Sequence, residues 1–192
     1  MKAIVLHQPW ATLVAIGAKR IETRPYPPAG EMRPAGARAQ PGFGLERAER
    51  IAIVAGARRP DEGLRLGPQT GTVFEEFVVR GGRLLDLCNE RSHELPLGAV
   101  VCTAQVLEAL EMVDGTGMRA GDGTERVPDA LYLFAASRRI WWLQDNEPCD
   151  VSAEIPFGDY SPGRFGWMLG GVQPTAPLPR RGERGVFKLD LG

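Results

Sequence analysis

Residues 8–24, QPWATLVAIGAKRIETR, decide how the chain begins to fold. Pro9 suits the first turn of a helix, because its missing N–H would be unpaired there in any case. Apolar side chains then recur at helical spacing, at Trp10, Leu13 and Val14. Gly17 suits the position just after a helix, and a strand is expected to begin near Arg20. The stretch therefore predicts a short helix, a bend and a strand.

The same stretch concentrates charge. A strand alternates its side chains, which would put Glu22 and Arg24 on one face and Ile21 and Thr23 on the other. Lys19 reaches the face of Glu22 only if it lies in the turn, before the alternation begins. Such a group is either a solvated ion pair, worth about 0–1 kcal/mol, or a polar cleft. In a cleft, the cations would hold anionic or carbonyl groups, and the carboxylate would accept protons.

Outward from this stretch, apolar and β-branched runs predict further strands at 2–6, 51–56, 98–113, 138–143, 164–173 and 185–191. Residues 72–79 are compatible with a short helix or a strand, with helix preferred, and residues 130–137 are interpreted as a short helix. Strands outnumber helices, and the regular alternation of strand and helix that marks a doubly wound sheet is missing. The sequence therefore predicts a mainly β (α+β) fold, a small, partly open β-barrel with one or two flanking helices.

The remaining segments lack a sustained period. Residues 25–49 are rich in Pro, Gly, Ala and Arg, and residues 58–95 are interpreted as largely loop. Residues 113–125 form a Gly-rich loop whose spacing does not match a phosphate-binding fingerprint. With 192 residues, the chain suits one domain. Its net charge of −1 favours a small substrate over a long nucleic acid.

The cysteines, the histidines and the length of the apolar runs indicate which metal sites, disulfides and membrane segments to expect. Three cysteines without CxxC spacing and two distant histidines predict neither a zinc site nor a disulfide framework. We expect no metal and no cofactor. The first residues lack the apolar core of a signal peptide, and no apolar run approaches the roughly 20 residues that span a bilayer. A cytoplasmic protein without membrane attachment is expected.

Residues 8–24 resemble the opening of the ASCH family (activating signal cointegrator homology domains). The family signature GxKxxExR is filled at every position, by Gly17, Lys19, Glu22 and Arg24. The closing segment is also similar: a Gly-Arg-aromatic strand precedes a Pro-x-x-Gly-x-x-Gly stretch, here Gly163, Arg164 and Phe165 followed by Pro179, Gly182 and Gly185. The resemblance covers roughly 2–24, 50–56, 96–104 and 157–190.

The resemblance implies a PUA-like barrel with the signature lining a cleft beside the first helix. It implies a single domain over 1–192, with loop-rich insertions at about 25–49 and 58–95. It also implies that the chain binds RNA or a modified nucleotide. The expected ligand-binding residues are Trp10, Lys19, Glu22, Arg24, Tyr160 and Arg164. Aromatic rings would stack on bases, and Arg164 would contact phosphate.

Some relatives in this family are amidohydrolases that remove acyl groups from N4-acylated cytidine with Lys, Thr and Glu. Lys19 matches the lysine, whereas Glu22 stands where the threonine is expected and Thr23 would point to the opposite face. The third residue has only two candidates, Glu108 and Glu111. Other relatives are described as ribonucleases. An enzyme would use Lys19 and Glu22 as its catalytic groups.

Three functions therefore remain open at the level of sequence: an RNA or nucleoside binding module, a hydrolase, and a partner-protein adaptor. The segment RRGER, 180–184, is either a basic tip that contacts a nucleic-acid backbone or a solvated loop. The sequence does not indicate an oligomeric state.

Overall fold

The computed structural model describes residues 1–27, 48–67, 77–115, 130–134, 139–144 and 147–190. Strands make up 52% of the structure and helices are few, which confirms the mainly β prediction. The sheet that contains the first strand curls into a half-barrel. The chain divides into two compact units, described separately below.

The first unit comprises Met1–Arg20, Arg47–Leu107 and Leu169–Gly192. Strand β1 (Lys2–Leu6) pairs in parallel with β3 (Glu49–Ala55) and antiparallel with β13 (Val186–Lys188). β3 in turn pairs antiparallel with the first half of β8 (Ala99–Asp114). One core cluster of this sheet consists of Ala3, Ala52, Val54, Val100, Phe187 and Leu189. The helix α1 (Trp10–Ala15) follows β1.

A second, smaller sheet lies within the same unit. It is an antiparallel meander of β4 (Arg65–Leu66), β5 (Phe77–Arg80), β6 (Arg83–Asp86) and β7 (Arg91–Glu94). Residues 58–95 were predicted to be loop-rich, and 72–79 to be a short helix or a strand. Residues 77–79 belong to β5, so the preferred helix is wrong there and the strand alternative is confirmed, whereas residues 72–76 lie outside the described part. Gly81 and Gly82, both at positive φ, form the tight turn between β5 and β6.

The second unit comprises Ile21–Glu46 and Glu108–Met168. Strand β2 (Ile21–Arg24) pairs antiparallel with the start of β12 (Phe165–Pro179). The end of β8 pairs with β9 (Ala130–Phe134), which is followed by β10 (Arg139–Gln144), β11 (Glu147–Asp150) and a 3₁₀ helix over Ser152–Phe157. The helix expected at 130–137 is therefore wrong at 130–134, where the chain is β9. Its core cluster comprises Ile21, Leu110, Met112, Leu131, Ile140, Val151 and Tyr160.

The strands predicted from apolar runs are all present, with boundaries within a few residues except at the end of β12, which runs to Pro179. Two of the segments predicted to be irregular, 25–49 and 113–125, are described only in part, because residues 28–47 and 116–125 lie outside the described ranges. The single-domain assignment with its two insertions stays a prediction. Among the described helices, none has the length and apolar character needed to cross a bilayer.

Candidate functional site

The bend after α1 is formed by Gly17. Its φ is +80°, a conformation that favours glycine, and its N–H donates to Val14 O over 3.0 Å. The chain then reverses, and the Lys19 N–H donates to Leu13 O over 3.0 Å. Within the first unit, these bonds hold Lys19 directly after the helix. The predicted order of helix, glycine bend and strand is confirmed.

The other end of α1 is anchored by Gln8. Its Nε2 donates to Pro96 O over 2.8 Å, and its Oε1 accepts from the Thr12 N–H over 3.2 Å. The amide thereby satisfies one of the helix N–H groups that have no partner inside the helix. Trp10, predicted as a stacking residue, is half-buried at the first position of α1.

Lys19 is 1% exposed, which excludes the solvated-turn interpretation for this residue. A buried ammonium group is stable only when it is paired or hydrogen-bonded. Lys19 belongs to the first unit and Glu22 to the second. That the two share a recess stays a prediction.

Glu22 and Arg24 lie together on one face of β2, as the strand alternation predicted. Arg24 Nε is 2.9 Å from Glu22 Oε1, and both side chains are largely buried. The Nε–H is not aligned with that oxygen, so this contact is an ion pair rather than a hydrogen bond. In the antiparallel register, Glu22 is opposite Trp167, a residue that is itself 1% exposed. Trp167 is thus the cross-strand neighbour of Glu22.

A second buried carboxylate, Glu154, joins the second unit's polar residues. It lies on the 3₁₀ helix, is 1% exposed, and accepts the Ile21 N–H at Oε2 over 3.2 Å. Glu154 was not predicted; the candidates from the sequence, Glu108 and Glu111, are only half-buried on β8. Nothing in the local stretch 151–157 marks Glu154 beyond its being the one charged residue there.

The phenol of Tyr160 is influenced by the charge of both carboxylates. Burial, then the charge of Glu154, then that of Glu22 raise the pKa of its phenol well above the usual value of 10.0. The ring packs in the core with Ile21, and the residue is 5% exposed. Its hydroxyl has no hydrogen-bond partner among the residues that the structure describes. Tyr160 was expected to stack its ring on a base; because the ring is buried, the hydroxyl is its distinctive group.

Arg164, expected to contact phosphate, is held by the turn 158–164. Its Nε donates to Asp159 O over 3.0 Å and lies 3.3 Å from Asp159 Oδ2, while Nη2 donates to Thr23 O over 3.5 Å. Asp159 also accepts from the Ser161 hydroxyl over 2.6 Å. Hydrogen bonds from the Ser161 hydroxyl and N–H, and then the Arg164 charge, lower the pKa of Asp159. This guanidinium therefore organises the turn.

Thr23 faces the opposite way from Glu22, as predicted. Its hydroxyl accepts the Asp159 N–H over 3.1 Å, which ties β2 to the turn. A hydroxyl engaged in this way does not replace the threonine that the resemblance would require beside Lys19.

The described part of the second unit thus places Glu22, Arg24, Glu154 and Tyr160 together; we refer to these four residues as the acidic cluster. Two carboxylates can accept from amino groups, and a phenol hydroxyl can donate to a carbonyl or ring nitrogen. Across the described ranges, no group of three or more His, Cys, Asp or Glu residues is arranged to hold a metal ion. The chain matches no protein-family model and no curated protein.

Proposed function

We propose that the acidic cluster binds the base of a nucleoside, either free or within RNA, by its hydrogen-bonding edge. The observation that carries the proposal is the Tyr160 hydroxyl, which is buried, is close to two carboxylates, and lacks a partner among the described residues. An unsatisfied buried hydroxyl costs about 1–3 kcal/mol. A ligand that accepts a hydrogen bond from it recovers that free energy.

The cluster favours a base with a particular edge. A carboxylate accepts from an exocyclic amino group, as Glu does from cytosine N4. Beside that amino group, cytosine carries the ring acceptor N3, which suits a phenol donor. Uracil has a carbonyl where cytosine has the amino group, and a carbonyl facing a carboxylate is unfavourable. The ligand class is therefore a cytidine-type nucleoside, modified or not.

Lys19 enters this proposal through the signature that it shares with Glu22 and Arg24. The resemblance to ASCH domains, and with it a PUA-like barrel in the cytoplasm, is likewise a proposal. Its support is the complete GxKxxExR pattern together with the burial of Lys19 and Glu22, at 1% and 9% exposure. Burial of both groups is expected of a site and not of a surface ion pair.

Calorimetric titration with cytidine, uridine, adenosine and guanosine tests the binding proposal. Cytidine is expected to bind at least about tenfold more tightly than uridine, the effect of one well-placed hydrogen bond. Glu22→Gln and Glu154→Gln should each weaken cytidine binding by a similar factor. Glu111→Gln, on β8 of the same unit, is the matched control and should leave affinity unchanged. Failure of the purified chain to bind any of the four nucleosides overturns the proposal.

A hydrolase is the second candidate, and the presence of Glu154 beside Glu22 is the observation that favours it. A carboxylate base can take a proton from water as the water oxygen bonds to an acyl carbon. The C–N bond then breaks, and the exocyclic nitrogen accepts a proton and leaves as an amino group. Lys19 would stabilise the oxyanion by its charge.

Incubation with N4-acetylcytidine distinguishes the two candidates. Release of cytidine and acetate that is lost in Lys19→Ala and Glu154→Gln, and retained in Asp114→Asn at the exposed end of β8, supports the hydrolase. Binding of N4-acetylcytidine without release of acetate supports the binding module.

A further inference from the structure

Three loops of the first unit are joined at one end of its sheet. β1 and β3 are parallel and in register up to Leu6 and Ala55, so their carboxyl ends lie together. The Gly98 N–H donates to Gly56 O over 3.4 Å, and the Arg180 N–H donates to Gly98 O over 2.8 Å. The loops after β3, before β8 and after β12 therefore meet at the carboxyl ends of two parallel strands.

The third of these loops lies directly on β1. A Cβ at Gly182 would overlap the Val5 side chain and would lie 3.5 Å from Val54 Cγ1. The close approach requires a residue without a side chain. The loop after β12 thus packs on the sheet at Gly182, which sets the backbone positions of the arginines beside it.

These loops carry five arginines, which we call the arginine end: Arg58, Arg59, Arg180, Arg181 and Arg184. All are exposed except Arg180, which is half-buried and donates to Pro179 O over 3.1 Å. Along the described residues, none of the five forms an ion pair with a carboxylate. Segments 56–61 and 180–185 hold only two acids, Asp61 and Glu183, so their net charge is +3 in a chain of net charge −1.

We propose that the arginine end binds the backbone of a single-stranded nucleic acid. All five cations are arginines, whose planar guanidinium groups bind phosphate oxygens in pairs and are less strongly hydrated than ammonium groups. Their distribution over two separate segments suits a chain of phosphates rather than one phosphate group. This inference goes beyond the proposed function, because it concerns residues of the other unit and needs no base recognition.

Fluorescence anisotropy with labelled 12-nucleotide oligo(U), oligo(dT) and a polyphosphate of similar charge tests the inference on the full chain. Two variants each remove two positive charges, Arg58→Gln with Arg59→Gln and Arg181→Gln with Arg184→Gln. The matched control, Arg80→Gln with Arg91→Gln, removes two exposed charges from the small sheet of the same unit.

Each arginine-end variant should weaken oligonucleotide binding at least about tenfold and reduce the slope of log affinity against log salt by about 1.4. Both follow from the loss of two phosphate contacts on a single strand. The control variant should change neither quantity. Tighter binding of oligo(U) than of oligo(dT) would identify RNA as the ligand. Equal binding would show that the arginine end recognises the phosphate backbone that RNA and DNA share.

The inference is overturned if the control pair loses as much affinity as the arginine-end pairs, since net charge alone would then explain binding. It is also overturned if only polyphosphate binds, or if none of the three probes binds. Failure of cytidine binding with retained oligonucleotide binding would overturn the proposed function alone.

Discussion

The Tyr160 hydroxyl in the acidic cluster has no hydrogen-bond partner among the described residues. Its neighbours Glu22 and Glu154 are acceptors when ionised, and both have other partners. Glu22 forms an ion pair with Arg24, and Glu154 accepts a hydrogen bond from the Ile21 N–H. A buried hydroxyl without a partner lowers stability. A ligand that accepts a hydrogen bond from Tyr160 would supply the partner that the described residues lack.

Replacing this residue separates stability from function. Tyr160→Phe removes a buried hydroxyl that has no partner among the described residues, so the free energy of unfolding should stay unchanged or rise by about 1 kcal/mol. Urea unfolding at pH 7 measures it. A loss of more than about 1 kcal/mol would mean that the hydroxyl is bonded within the folded chain, which contradicts the account.

Alkaline pH should destabilise the wild type through the same residue. Its pKa is raised in the folded state, so its contribution to stability is present below pH 10 and is lost as pH rises, because the unfolded chain releases the proton first. Urea unfolding at pH 10 and pH 11 should show this loss of stability in the wild type and a smaller loss in Tyr160→Phe. Equal losses in the two proteins would contradict the assignment.

At the scale of elements, the turn 158–164 and strand β2 are fitted to each other. An added Cβ at Gly158 would lie 2.9 Å from Thr23 Oγ1 and 3.0 Å from both Thr23 Cγ2 and Tyr160 Cε2. Its backbone is extended, with φ of −160°, so the constraint is space and not conformation. The glycine therefore allows the turn to bring Tyr160 towards β2.

Gly158→Ala should consequently lower the free energy of unfolding by about 1–3 kcal/mol, the usual range for overpacking. Adding Thr23→Ala removes two of the three contacted atoms, so the double variant should be more stable than the sum of the single changes predicts. Chemical denaturation of the four proteins in this cycle measures the coupling. Strict additivity would show that Gly158 and Thr23 do not compete for the same space.

Elements with a local signal were predictable from the sequence. Gly17 and the alternation of β2 gave the bend, the burial of Ile21 and the pairing of Glu22 with Arg24. β9 was misassigned because residues 130–134 are continuously apolar, and a short apolar run has no period that separates strand from helix. Its pairing with β10 decides the conformation. Glu154 could not be found because its role depends on the Ile21 N–H, 133 residues away.

At the scale of the whole molecule, the net charge of −1 conceals two different local environments. The first unit carries the arginine end, and the second carries the acidic cluster. Among residues 1–60, the described arginines that belong to the arginine end are Arg58 and Arg59. Folding adds Arg180, Arg181 and Arg184 from the other end of the chain, a grouping set by the β1–β13 and β1–β3 pairings.

Thiol labelling reports the integrity of the fold. Cys88 and Cys149 are exposed, whereas Cys102 is buried, and burial raises its pKa to about 12. At pH 8, two thiols per chain should react rapidly with an aromatic disulfide reagent, and the third only on unfolding. Absorbance of the released reagent counts the fast and slow thiols. The control, Cys102→Ala, should lack the slow phase. Three fast thiols in the wild type would contradict the buried position of β8.

The most direct test of the central claim is the affinity of Tyr160→Phe for cytidine, measured by calorimetric titration beside the wild type. If the buried hydroxyl donates to the base, the variant should bind about tenfold more weakly while remaining as stable as the wild type. If Tyr160→Phe binds cytidine as tightly as the wild type does, the hydroxyl does not contact the ligand. The acidic cluster would then lose its assignment as the binding site.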